Sequence, residues 1–245
     1  MSQPRRFVID DSGLAGAVAT LTGGEFHHLR DVLRMRAGDE VTIIDGRGQE
    51  HHARLREIGR DSATADIIAT ATRVAPVEII LAAAVIKGPR MDFMVEKAVE
   101  LGATELWPIV TARTQVRDIR VDRIARWRRL AVAAAKQSEA PGVMMVTEAI
   151  MFDRLVDSTI VAGVTALICD AGGIPIRRAI GVTKPSRLIL ACGPEGGFDS
   201  AELAEATRAG FVAVTLGPNR MRSETAAIAA LSIAGAALHE LDGGD

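Results

Sequence analysis

Two rhythms of apolar and polar positions divide the chain near residue 72. Ahead of that point apolar residues come in short bursts. Thr22-Gly23-Gly24-Glu25 has the form of a capping box and predicts a short helix with Phe26, Leu29 and Leu33 on one face. Val41-Thr42-Ile43-Ile44 reads as a strand, and Asp45-Gly46-Arg47-Gly48 carries the residues of a hairpin turn. Two more strands are expected over 50–58 and 62–70. Short strands joined by turns predict a small β-barrel domain over residues 1–72, with Thr72 to Val77 as its boundary.

Beyond the boundary, continuous apolar runs alternate with stretches of helical period. Strands are expected over 78–85, 106–110, 162–169, 187–192 and 211–216. Helices are expected over 91–101, 121–138, 200–209 and 223–241. Strands apolar on both faces, alternating with helices, predict an α/β domain over residues 73–245 with a buried, largely parallel sheet.

Ligands of such sheets bind beyond the carboxyl ends of the strands, so the loops there carry the candidate chemistry. One apolar run ends in Gly193-Pro194-Glu195-Gly196-Gly197, with Asp199 and Glu202 placed as cap and returning acid of the next helix. Another ends in Gly217-Pro218-Asn219-Arg220-Met221-Arg222, ahead of a helix that is apolar almost all round and therefore buried. Neither loop has the spacing of a dinucleotide turn or a phosphate-binding loop, and Glu195 would repel a pyrophosphate. Both suit a ligand without phosphates, approached by backbone groups that glycine leaves uncovered. A plain strand-to-helix turn fits either loop alone, and an Arg222–Glu224 ion pair fits the second. Their repetition at successive strand ends favours one shared crevice. Lys87 and Arg90 lie at a third such turn, where they reach a phosphate or stay solvated.

Aromatic residues are 3% of the chain and Tyr is absent, which argues against an RNA-binding module that stacks bases on aromatic side chains. The net charge of -2 argues against a general polyanion binder. All but four of the 29 basic residues are Arg, the side chain suited to planar phosphate contacts, although a compositional bias gives the same count. Residues 111–138 concentrate Arg113, Arg117, Arg120, Arg123, Arg126, Arg128 and Arg129. Val121, Ile124, Trp127, Ala131 and Ala134 form the apolar stripe of the same helix, whose basic face is either solvated or a phosphate track. His27-His28 and His51-His52 are adjacent pairs, which point apart and make neither a dyad nor a chelate. Cys169 and Cys192 read as free thiols of a reducing compartment, with a disulfide left open. No Cys/His spacing suits zinc, so no metal is expected. The start of the chain carries no signal segment, and the longest apolar stretch is short of a membrane span. A cytoplasmic protein is expected.

Taken in order, KGPRMDFMVEKAVELGA (87–103), Gln137-Ser138, CGPEGGF (192–198) and LGPNRMRSETAAIAAL (216–231) resemble the RsmE-type ribosomal RNA uridine-N3 methyltransferases of the SPOUT superfamily. HHLRDVLRMRAGDEV (27–41) is similar to the family's N-terminal PUA-like barrel. The resemblance implies a trefoil-knotted methyltransferase domain, a homodimer, S-adenosylmethionine as methyl donor, and a 16S rRNA uridine of the small ribosomal subunit as substrate. It places Ile168 or Cys169, Cys192, Gly193, Gly196, Gly197, Leu216, Gly217, Met221, Ser223, Thr225 and Ala226 around the cofactor. For that reaction Arg222 is the cation expected to steady charge on the uracil carbonyls, and the N3 proton goes to Glu195, to Glu224, or equally to water or a substrate phosphate. Arg5, Arg6, Arg30, Arg34, Lys87, Arg90 and Arg113 are the expected RNA contacts. The chain departs from the family at Glu139-Ala140, where Gly-Arg is more usual, and at Asp170-Ala171-Gly172-Gly173.

Overall fold

The computed structural model describes residues 5–9, 11–45, 49–72, 77–116, 119–157, 163–181 and 184–241. The chain folds as two compact units, Met1–Val74 with Ala135–Val143, and Ala75–Ala134 with Met144–Asp245. Residues 73–76 of the expected boundary, and the turn residues 46–48, lie outside the described residues.

The first unit contains β1 (Arg5–Val8), β2 (Leu14–Ala15), β3 (Val18–Thr22), α1 (Gly23–His27), β4 (Glu40–Ile44), β5 (Gln49–Ile58) and β6 (Ser62–Thr72). The strands form one sheet in the order β1-β4-β5-β6-β3-β2, antiparallel except for β1 beside β4. Asp45 accepts a 2.8 Å bond from the Gln49 amide and aligns β4 with β5. Phe7, Leu21, Val41, Ile43, Ala53, Leu55 and Ala65 turn inward, and Phe26 and Leu29 join them. That core is built from the alternate positions of paired strands.

The expected capping box at Thr22 does not form: the Thr22 side chain makes no cap bond. The Glu25 carboxylate instead takes the Lys136 ammonium at 2.8 and 2.9 Å and the Val8 amide at 3.3 Å. A charge-assisted pair outcompetes a bond to a neutral amide. Arg6 binds Glu50 and the Ala140 carbonyl at 3.2 and 3.0 Å, so residues 135–143 are tied to the strands of this unit. Glu139 has φ 55°, the left-handed conformation that glycine adopts freely.

The second unit contains β7 (Glu78–Ala84), α2 (Pro89–Glu100), β8 (Glu105–Val110), α3 (Val121–Gln137, its last turn in the first unit), β9 (Met145–Val146), β10 (Ile150–Met151), α4 (Phe152–Asp157), β11 (Val164–Pro175), α5 (Ile176–Ile180), β12 (Arg187–Cys192), α6 (Ser200–Arg208), β13 (Val212–Thr215) and α7 (Ser223–Leu241). The sheet is parallel throughout, in the order β10-β8-β7-β12-β11-β13, with β9 beside β8. Residues 80–84, 166–168 and 188–191 are buried on both faces, as a parallel sheet covered by helices requires. Helix α7 packs on α2, α5, β7 and β12. On α3, Ile124, Trp127, Ala131 and Ala134 are buried as expected, but Val121 is 74% exposed because it opens the helix ahead of the packed turns. Arg126 pairs with Asp92 and Arg128 with Glu148, so neighbours neutralise part of the basic face.

β11 runs further than its apolar residues suggest. It continues through Asp170-Ala171-Gly172-Gly173, shifting register between Cys169 and Ile174, so that Ile174 also lies beside Val214 of β13. A Cβ on Gly173 would stand 2.4 Å from the Val214 nitrogen. The unusual glycine pair is the bulge that lets two backbones approach.

Candidate active site

The sheet order sets β11 between β12 and β13, so the loops that follow β12 and β13 flank the end of β11. In the first loop the Gly197 amide donates to the Pro194 carbonyl at 2.8 Å, with Gly197 at φ 68°. Gly193 lies under the turn; a Cβ there would meet the Gly197 carbonyl carbon and the Phe198 ring at 3.2 Å. The helix behind the loop starts on the expected capping box. Asp199 accepts the Glu202 amide at 2.8 Å and Glu202 accepts the Asp199 amide at 2.9 Å. The buried Glu202 also accepts the Ala112 amide at 2.8 Å, and Arg113 donates to the Gly196 and Phe198 carbonyls at 2.7 and 3.2 Å. The segment after β8 thus clamps the loop. The second loop turns at Gly217, φ 127°, and Arg220 donates to the Glu195 carbonyl at 2.9 Å, tying one loop to the other.

Two cavities adjoin this arrangement. One, of about 400 Å³, lies among the two loops and Cys169, Asp170 and Ala171 of β11. The other, of about 590 Å³, is bounded by Pro89, Arg90 and Phe93 of α2 and by residues from Arg220 to Thr225. Arg220 and Met221 border both. The first cavity gathers Gly193, Gly196, Gly197, Leu216, Gly217, Met221, Ser223 and Ala226, together with Glu195. Ile168 and Cys192 are buried in their strands, one residue before the lining. Thr225, Arg222 and Glu224 border the second cavity instead. Asp170 is an addition that sequence reasoning passed over; its signal was an acid at the end of a buried apolar strand.

Charge is distributed unevenly along the shared wall. Arg90 donates to Glu195 at 2.7 Å and lies 3.7 Å from Glu224. The alternative reading of the second loop, an Arg222–Glu224 ion pair, is not seen: Glu224 is buried towards Arg90 while Arg222 is exposed. Among the described residues the Arg222 side chain has no hydrogen-bond or ionic partner. Ser223 Oγ and Glu224 Oε2 are buried and lack hydrogen bonds. An unsatisfied buried polar atom costs roughly 1–3 kcal/mol, a cost that a bound ligand removes. Beneath the first cavity the Sγ atoms of Cys169 and Cys192 are 3.6 Å apart and both thiols are free. The contact with Cys169 and burial hold the Cys192 thiol well above its ordinary pKa.

Of the expected RNA contacts, Arg5, Arg34 and Lys87 are exposed and unpaired among the described residues. Arg6, Arg90 and Arg113 make the bonds given above, and Arg30 binds Asp31 and the Arg60 carbonyl. His51 is buried against Thr70 and Asp45, and His52 faces Glu40. Among the described residues there is no group of side chains arranged for a metal, and no helix long and apolar enough to cross a membrane.

Residues 73–235 match the RNA methyltransferase domain family, and residues 21–68 match the RNA methyltransferase PUA domain. The chain is similar to the ribosomal RNA small subunit methyltransferase E of Bacillus subtilis, at 31% identity over 87% of this chain and 88% of that one. The protein of the same name from Mycobacterium tuberculosis is 32% identical over 94% and 90%. Among solved structures, the ribosomal RNA small subunit methyltransferase E of Neisseria gonorrhoeae, bound to S-adenosyl methionine, superposes with a TM-score of 0.83. That likeness has 32% identity and spans 98% of both chains. A Legionella pneumophila methyltransferase structure with bound SAM has a TM-score of 0.84 at 28% identity, over 96% of this chain and 98% of that one.

Proposed function

We propose that this chain, which belongs to the ribosomal RNA small subunit methyltransferase E family of RNA methyltransferases, transfers a methyl group from S-adenosylmethionine to N3 of a uridine in 16S rRNA. One observation carries the assignment of the site. Two glycine loops face one cavity, and the segment they share with a second cavity holds two buried polar atoms, Ser223 Oγ and Glu224 Oε2, without hydrogen-bond partners.

The first cavity suits the cofactor. Its walls are glycine backbone and the apolar side chains of Leu216, Met221 and Ala226, with the orphaned Ser223 hydroxyl among them. The carboxylates of Asp170 and Glu195 border it and disfavour a phosphate. Asp170 suits ribose hydroxyls, which carboxylates bind in other nucleotide-binding folds. When bound, the cofactor supplies an electrophilic methyl on a sulfonium.

The protein's own residues do the rest. Uracil N3 carries a proton that must leave, and Glu224 Oε2 is the acceptor best supported by the geometry. Arg90 engages both carboxylates, but it donates a 2.7 Å hydrogen bond to Glu195 and stands 3.7 Å from Glu224 Oε2 without a hydrogen bond, so the part of Glu195 is to hold the wall. Arg222, unpaired and on the second cavity, steadies the negative charge that spreads onto the uracil carbonyls. Holding N3 in line with the methyl supplies much of the remaining acceleration.

Arg5, Arg34 and Lys87 are the cations available for phosphate contacts that position the RNA. Arg6, Arg30, Arg90 and Arg113 reach RNA only by leaving their present partners. In this reading residues 1–72 are the PUA-like RNA-binding domain and residues 73–245 the knotted methyltransferase domain. The protein acts as a cytoplasmic homodimer on the small subunit. Arg222→Ala tests the reading. Calorimetry should show unchanged S-adenosylmethionine affinity, while transfer of labelled methyl to small subunits falls roughly 10²-fold, the cost of removing one oxyanion donor. Undiminished turnover would overturn the role of Arg222. Failure of the wild-type protein to bind the cofactor would favour a non-enzymatic RNA-binding protein that kept the fold.

A further inference from the structure

We infer that the second cavity receives the target base drawn out of the RNA stack, with Phe93 as its stacking platform and Glu224 as the group that selects uracil over cytosine. The inference rests on the methyltransferase reading and adds the pocket in which the acceptor is recognised. Phe93 is the anomaly that leads to it. Phe7, Phe26, Phe152, Phe198 and Phe211 are all less than 10% exposed, whereas Phe93 is 47% exposed on α2 and borders the cavity. The Lys97 ammonium lies over the ring, 5.6 Å from its centroid, and is itself held by Glu96 and Glu100. The ring is therefore fixed on one side by a braced cation rather than packed into the core. A chain with so few aromatics cannot stack a run of bases, but one extruded base needs only one ring.

The polar side of the cavity has the complementary pattern. Uracil offers an N3–H donor between two carbonyl acceptors. The cavity is also lined by Glu224, whose buried Oε2 has no hydrogen bond and lies 3.7 Å from the Arg90 guanidinium, and by the guanidinium groups of Arg220 and Arg222. One acceptor among donors matches the uracil edge. Cytosine presents an N3 lone pair to that carboxylate and an amino group to those cations, and is repelled at both positions. At about 590 Å³ it is a groove open to solvent rather than an enclosed pocket, so a base would enter it from the surface and rest on the Phe93 ring.

Phe93→Ala, Phe93→Tyr and Glu224→Gln test the assignment in the full-length protein. The substrates are small subunits lacking the modification and a fluorescein-labelled rRNA fragment with uridine or cytidine at the target. Phe93→Ala should raise KM for subunits roughly 5- to 150-fold, the range for losing one base–aromatic stack. Its calorimetric affinity for S-adenosylmethionine should stay as in wild type, and Phe93→Tyr should restore KM. Wild type should bind the uridine fragment at least tenfold more tightly than the cytidine fragment, and Glu224→Gln should narrow that gap. An unchanged KM in Phe93→Ala, with wild type active, overturns this inference alone. A loss of activity that tracks a loss of assembly in sedimentation also overturns it, because Phe93 would then face a second copy of the chain. A wild-type protein that neither binds the cofactor nor transfers methyl overturns the methyltransferase reading and this one with it.

Discussion

Gly173→Ala tests how the crevice is held together. The new methyl would lie 2.4 Å from the Val214 nitrogen and 2.5 Å from the carbonyl carbon and oxygen of Ala213. These are backbone atoms of β13, and no rotamer change moves them aside. Relief requires β13 to withdraw from β11 by about 1 Å to recover ordinary contact. The pairs Ile174 with Val214 and Pro175 with Thr215 resist that movement. Overpacking of a closed site costs roughly 1–3 kcal/mol, and an obstacle made entirely of backbone atoms argues for the upper end. For a chain of this size roughly 3 kcal/mol lowers Tm by about 6–12 °C. The loop that follows β13 carries Leu216, Gly217 and Met221, so the cofactor affinity should fall with it, by more than about tenfold if half the distortion reaches the loop. Gly172→Ala is the control. Its Cβ would meet the Asp170 carboxylate at 3.2 Å, a side chain that can turn away, and its cost should stay below about 1 kcal/mol. Thermal melting and calorimetry with S-adenosylmethionine read both variants. A Gly173→Ala protein that melts within about 2 °C of wild type and binds the cofactor equally well would refute the close approach of β11 and β13.

Two other substitutions probe the frame around the site. Glu139→Gly removes a left-handed non-glycine residue and should raise stability by roughly 1 kcal/mol in urea unfolding; no gain would mean that the Glu139 backbone is unstrained. The raised Cys192 pKa contributes stability present below the ordinary thiol value of 9.0 and lost as pH rises through the higher folded value. The urea midpoint should therefore fall above pH 9.0, less steeply in Cys192→Ala, and iodoacetamide should alkylate Cys169 first; early labelling of Cys192 would contradict its burial.

Elements that carry a period over several turns were legible in the sequence. The strand at 187–192 and the helix at 223–241 appear with the expected bounds because each is a long buried run. β9 and β10, of two residues each, and the short helices α4 and α5 have too little length to show a period. Gly172-Gly173 read as a strand end because glycine usually breaks a strand; only the distance to β13 reveals a bulge. The two cysteines, 23 residues apart, meet because the register of β11 on β12 sets Ile168 beside Ala191, and no spacing rule contains that register. Phe93 falls outside the apolar stripe of α2, so its exposure was legible, whereas its cavity depended on where the Arg220–Thr225 segment lies.

The same distinction explains the altered parts of Arg90 and Arg222. Sequence left two readings of Arg222 open, a loop ion pair with Glu224 or a cation for the reaction, and two of Arg90, a phosphate contact or a solvated charge. The fold pairs Glu224 with Arg90 instead. Arg90 lies 134 positions before Glu224, yet it reaches both Glu195 and Glu224 because α2 packs on α7. One guanidinium thereby links the loop of the first cavity to the wall of the second, and Arg222 stands unpaired. A cation already paired can hold two carboxylates in place but adds little new attraction for a developing anion. An unpaired one at the cavity edge gains its full interaction as charge appears. If the proposed reaction holds, Arg90 is the positioning residue and Arg222 the group suited to the reaction, a division that would be set by tertiary packing rather than by order along the chain.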